Sequence, residues 1–113
     1  SQVFTAMKHA RPGEADLFVA GDFNLTPQVL KEHSQAADKT TGTGSTLNSS
    51  GARTANLYDH LLVLDGHATS ELVMPAQVLD VRKKASTNKA FYRMASDHLP
   101  IVGRFFLNRS DDD

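Results

Sequence analysis

A short run without polar alternation, Leu17-Phe18-Val19-Ala20, stops at Gly21 and leads at once into Asp22-Phe23-Asn24. An unbroken apolar run of this kind suits a central strand buried on both faces. Glycine ends the strand, so Asp22 and Asn24 are delivered to the end of a sheet. Side chains alternate along extended chain, which lets both polar groups project to one side while the Phe23 ring packs the other way. Such a pair has chemical use, because a carboxylate orients or deprotonates a water and an amide donates to a developing oxyanion without adding charge. Gly, Asp and Asn also dominate ordinary turns, and from these four residues alone a plain turn is an equal alternative.

The flanking segments predict an α/β arrangement. Val3, Phe4 and Met7 form a narrow apolar stripe that ends a helix before Arg11-Pro12-Gly13 turns the chain, so helix, turn and buried strand follow in the order of an αβ unit. Thr26-Pro27 is a helix start, with Thr26 as N-cap and Pro27 at the first position, and the helix is expected from Pro27 to Ala36 or Ala37. Residues 38–56 are rich in Thr, Ser and Gly and too long for a mere connector, hence a binding loop or a mobile one. Leu57 to Leu64 and Ile101 to Leu107 are apolar on both faces and read as internal strands, and Thr69 to Val81 reads as an edge strand broken or bulged at Pro75. Asp65-Gly66 is a turn signal with His67 exposed beside it, and the final six residues read as a frayed tail.

At 113 residues the chain has an ordinary single-domain length. A formal net charge of -1 announces neither an overall basic field nor a strongly acidic one, so any contact with nucleic acid has to be local. Cysteine is absent, which excludes disulfides and thiolate metal sites and leaves the compartment open. No apolar stretch approaches the roughly 20 residues of a membrane span. Arg82 to Arg93 holds five basic residues with Phe91 and Tyr92 interleaved, a mixture suited to phosphates and stacked bases, although such runs are also ordinary solvated surface. This segment empties into Ser96-Asp97-His98, which makes Lys89 and Arg93 candidates for substrate binding.

Three stretches occur in order: Gly21-Asp22-Phe23-Asn24, then Tyr58-Asp59 with its apolar strand, then Ser96-Asp97-His98-Leu99-Pro100-Ile101-Val102. Together they resemble the endonuclease/exonuclease/phosphatase family, in the branch similar to deoxyribonuclease I, from about residue 3 to about residue 107. The resemblance covers the C-terminal half of that family's catalytic domain. It implies half of a four-layer α/β sandwich over residues 1–107, with one mainly antiparallel or mixed sheet and helices on one face, followed by a flexible tail at 108–113.

By that resemblance Asp22 orients or deprotonates the attacking water, Asn24 holds it or donates to the phosphoryl oxygen, and Asp97 is a ligand of magnesium or manganese. His98 stabilises the phosphorus centre or transfers a proton, oriented by Asp59, whose carboxylate then lies within about 2.6 to 3.2 Å of an imidazole nitrogen. Arg53 on the rim of the sheet and Thr54 become candidates for substrate contact. His60 stands where the branch often has Arg, and a phosphate contact is not carried over to it. The implied activity is hydrolysis of phosphodiesters, DNA first, in a secreted, cell-surface or other compartment. The alternatives are a non-catalytic half-domain acting in assembly or binding, and a phosphoesterase acting on lipid or inositol phosphates. The expected partners are nucleic acid and either the missing N-terminal half or a second copy of the chain.

Overall fold

The computed structural model describes residues 2–64 and 67–107, so the Asp65-Gly66 turn and the 108–113 tail lie outside the described residues. In chain order it contains α1 (Gln2–Ala10), β1 (Phe18–Asp22), α2 (Pro27–His33), β2 (Ala37–Asp38), β3 (Thr40–Thr41) and β4 (Asp59–Val63). These are followed by α3 (His67–Glu71), β5 (Leu72–Val78), a 3-10 turn over Arg82–Lys84, α4 (Asn88–Met94) and β6 (Ile101–Phe105). The fold is mixed α/β. Its strands divide between two three-stranded sheets, in the orders β1-β4-β2 and β3-β5-β6, rather than forming the single sheet expected.

β4 is the central strand of the first sheet, with His60, Leu61, Leu62 and Val63 all buried. β1 runs antiparallel to it, Phe18 opposite Val63 and Asp22 opposite Asp59. Alternation then puts Phe18, Ala20, Asp22, Asp59, Leu61 and Val63 on one face and Val19, Gly21, His60 and Leu62 on the other. Helices α1 and α2 cover the Leu62 face, where Phe4, Leu17, Leu30 and Leu62 make a core joined by Met7, Val19, Phe23 and Leu25. On the Leu61 face the second sheet approaches at Gly103, where a Cβ would stand 3.1 Å from Leu61 Cδ2. Beside it the Phe18 and Phe105 rings stack with centroids 5.0 Å apart.

The chain passes between the sheets at Lys39, whose N–H donates to the Leu61 carbonyl (2.8 Å) and whose carbonyl accepts from Ala76 N–H (2.7 Å). β3 then pairs in parallel with Ala76 and Gln77 of β5, which places β5 at the centre of the second sheet and not at an edge. β5 starts only at Leu72, because Thr69 to Glu71 belong to α3. The irregularity expected at Pro75 is present as register shifts against β6 on either side of Met74. Proline offers no N–H to the ladder, and the pairing with β3 begins just past it.

Further expectations are corrected. β1 and β6 are edge strands, and Phe18 and Val102 are 49% and 45% exposed, so of the three strands read as internal only β4 is. α2 starts as expected, with Thr26 Oγ1 accepting from Val29 N–H, but it ends at His33 because Ala37 is already paired in β2. Residues 38–56, expected as a binding or mobile loop, are packed in part: Ser45, Thr46, Leu47 and Gly51 are buried, Thr46 and Leu47 make bridges to His98 and Arg53, and Asn48, Ser49 and Ser50 are exposed. The basic segment is likewise folded, its second half being α4 with Thr87 as N-cap. Phe91 turns inward against Leu47 and Leu99 and is not available to stack on a base.

Candidate functional site

Asp22 ends β1 and Asp59 begins β4, and because the two are register partners their side chains leave the same face of the sheet at the same end. His98 arrives there from the segment between α4 and β6. The hydrogen bond expected between Asp59 and His98 is present, with Oδ2 and Nδ1 2.7 Å apart. The other ring nitrogen, Nε2, lies 3.7 Å from Asp22 Oδ2, close enough for charge but too far for a direct hydrogen bond. Exposure rises along this row, from 13% for the Asp59 side chain through 25% for His98 to 37% for Asp22. The orienting carboxylate is thus the sheltered one, and the outer carboxylate faces solvent.

Asn24 comes close to Asp22 by a different route from strand alternation. The strand has ended, Asn24 sits in the left-handed region at φ 52°, and its N–H donates to Asp22 Oδ1 (2.8 Å) while its side-chain amide reaches Asp22 Oδ2 (3.3 Å). Asparagine tolerates this backbone better than most residues. Phe23 packs inward as expected, on the α1/α2 side.

A residue the sequence reading missed holds the frame. The Ser45 hydroxyl, fully buried, accepts from the N–H groups of both Tyr58 (3.1 Å) and Asp59 (3.2 Å). The Ser45 backbone bonds on both sides, donating to Asn56 O (2.8 Å) and accepting from Leu99 N–H (2.7 Å). Leu47 N–H then donates to Asp97 O (2.7 Å). Residues 45–47 therefore lie between the start of β4 and the His98 segment and set the spacing of Asp59 and His98. Inside Thr43-Gly44-Ser45-Thr46 nothing local distinguishes this serine from a solvated loop residue.

Electrostatics follow the geometry. Partial burial pushes the His98 pKa down, but the hydrogen bond that the ring makes to Asp59, the charge of Asp59 and the charges of Asp22 and Asp97 outweigh that and leave it raised above the ordinary histidine value. The ring is held at Nδ1 by Asp59 and turns Nε2 toward Asp22.

The other sequence candidates separate. Arg53 is half-buried and committed: Nε donates to Gly44 O (2.5 Å) and Nη2 to Thr43 O, which makes it a strut of the 43–54 segment rather than a solvated rim arginine. Thr54 is half-buried too, its hydroxyl bonded to that of Thr46 and accepting from Asn56 N–H (3.2 Å). Arg82 is clasped to Asp80 (2.6 Å) and to Gly51 O (2.9 Å), and this side-chain bond draws the Asp80 carboxyl down to about 2. Lys83, Lys84, Lys89 and Arg93 are all exposed, and none of the four is ion-paired among the described residues. Asp97 is exposed beside His98 but outside the group Asp22, Asp59 and His98, whose ligand atoms all lie within 4.8 Å of one another.

The side chains near enough to share a hard divalent cation are Asp22, Asp59 and His98, of which Asp59 Oδ2 and His98 Nδ1 already bond each other. Carboxylate oxygens are the ligand type that magnesium takes, one or two at a time with its waters retained. The site is a surface rim. A groove of about 600 Å³ lined by Leu30, Ser34, Ala36 and Asp38 lies elsewhere. Comparison with protein-family models, curated proteins and solved structures finds no match to the chain.

Proposed function

We propose that this chain carries the C-terminal catalytic motifs of a metal-dependent phosphodiesterase of the endonuclease/exonuclease/phosphatase type, acting on nucleic acid and first on DNA. The observation that carries the reading is the row Asp59–His98–Asp22, in which a sheltered carboxylate holds a histidine that faces an exposed carboxylate. In this reading Asp22 takes a proton from a water as its oxygen attacks phosphorus. The bond from phosphorus to the leaving oxygen breaks, and that oxygen receives the Nε2 proton of His98. The Asn24 amide donates to the phosphoryl oxygen as its charge grows. A magnesium or manganese ion, held through Asp97, would offset the negative charge of the phosphoryl group. Lys83, Lys84, Lys89 and Arg93, exposed and unpaired among the described residues, support a polyanionic substrate, since the helix that bears Lys89 and Arg93 leads directly to His98.

In the longer polypeptide that this reading supposes, Asp22→Asn is expected to lower hydrolysis of plasmid DNA by about 10²- to 10⁴-fold with folding almost unchanged. Activity within a few-fold of wild type would remove Asp22 from the mechanism. Assays on a sphingomyelin vesicle and on an inositol phosphate beside the plasmid decide among substrate classes. A second reading, a non-catalytic half-domain that acts by assembly, is favoured by the exposed apolar side chains Phe18, Val73, Met74, Leu79 and Val102. It gains if no phosphoester is hydrolysed by any assembled form.

A further inference from the structure

Asp59 and His60 are neighbours on β4 and therefore face opposite sides of the sheet. Asp59 holds His98 on one side. On the other, His60 is fully buried, with Nδ1 2.8 Å from Asp38 Oδ2 and Nε2 2.8 Å from the carbonyl oxygen of Leu25. A carbonyl only accepts, so Nε2 carries the hydrogen in the second bond. Asp38 is anchored in turn, its Oδ1 accepting from Thr40 N–H (3.0 Å). The Phe23 ring meets the imidazole edge-on at 6.0 Å.

Leu25 is the residue between Asn24, whose backbone is left-handed, and Thr26, which caps α2. Its carbonyl is thus a point at which the turn bearing Asp22 and Asn24 can be held from below. We infer that His60 is a positioning residue, a tether that ties the Asp22–Leu25 turn to β2 through the far face of β4 and so keeps Asp22 and Asn24 opposite His98. This deepens the hydrolytic reading and rests on it for its activity test. An apolar side chain at position 60 would fill the space but leave the Leu25 carbonyl and an Asp38 oxygen without the partner they now have. The pair Asp59-His60 would then act on both parts of the site, one residue for the histidine and the next for the turn.

Two substitutions separate the bonds. The amide nitrogen of asparagine occupies the place of Nδ1 and that of glutamine the place of Nε2, so His60→Asn keeps the Asp38 side and His60→Gln the Leu25 side. In the chain itself, amide hydrogen exchange at Phe23 and Asn24 is expected to quicken about fivefold to tenfold in His60→Asn and to stay close to wild type in His60→Gln. In the hydrolytically active form, kcat is expected to fall about 10²-fold in His60→Asn with little change in KM, and to be largely retained in His60→Gln. Equal exchange in the two variants, or losses of activity that simply follow their melting temperatures, would overturn the tether. Should neither variant fold, the wild-type chain still decides: the tether requires a slowly exchanging Nε2–H signal from His60 with a through-space contact to Leu25, and its absence overturns it. If no assembled form of the wild type hydrolyses a phosphoester while the exchange difference is found in the chain, the tether stands and the hydrolytic reading falls.

Discussion

The carboxylate at Asp59 has its consequence in the charge of His98. Because the folded pKa of His98 is raised, folding favours its imidazolium form relative to the unfolded chain. Its contribution to stability is fully present below about pH 6.5 and is lost as pH rises through the folded value. An NMR titration of the His98 ring is expected to place its midpoint above that of an unfolded histidine, and Asp59→Asn to lower it. An unchanged midpoint in Asp59→Asn would show that the 2.7 Å contact carries no charge coupling. Ser45 yields a second expectation at this scale. Ser45→Ala leaves two backbone N–H groups, those of Tyr58 and Asp59, without their acceptor. Denaturant unfolding should register a loss of about 1 to 3 kcal/mol, and a variant as stable as wild type would show that water replaces the hydroxyl freely. Neither role is legible locally: the Asp59–His98 pair was reached only through the combined motifs, and Ser45 through nothing in the sequence.

Among the elements, the segment from Thr43 to Thr54 departs furthest from its composition. Rich in Gly, Ser and Thr, it reads as loop, yet it is packed because its polar groups find partners within the fold: Arg53 bonds to Thr43 and Gly44, Thr46 to Thr54, and Ser45 to β4. Gly44 permits that closure. Its φ is +55° and an added Cβ would fall 1.8 Å from the Thr54 carbonyl oxygen, which is backbone and has little freedom to move. Gly44→Ala is therefore expected to open the segment, lowering the melting temperature and exposing the amides of residues 45–47 to rapid hydrogen exchange; wild-type protection there would contradict this packing. α2 shows the contrary case. Thr26-Pro27 marks its start within the residues themselves, since a cap needs only an oxygen ahead of the first turn and Pro27 lacks an N–H that the turn does not use. Thr26→Ala should cost about 1 kcal/mol.

At the largest scale the described residues form two narrow sheets joined at Lys39, with helices over one face of the first and apolar residues left on the surface at Phe18, Val73, Met74, Leu79 and Val102. We expect light scattering to show self-association, or capture by the complementary half of the proposed domain, and the chain alone to hydrolyse DNA negligibly in millimolar magnesium. A monodisperse monomer with magnesium-dependent nuclease activity would refute both. Punctuation was legible in the residues at the cap of Thr26 and the irregularity of Pro75, which depend on backbone chemistry within a turn or two, whereas the stop expected at Gly21 falls after Asp22, Gly21 itself being paired with His60. Whether a strand is central or on an edge was not, because β1, β4 and β6 share the same apolar character and differ only in how many strands lie beside them. The fates of Arg53, His60 and Phe91 were likewise decided by the fold. Arg53 bonds to carbonyls 9 and 10 positions away, His60 to groups 22 and 35 positions away, and Phe91 packs on Leu47 and Leu99, so each is set by a partner brought near only once the chain has folded.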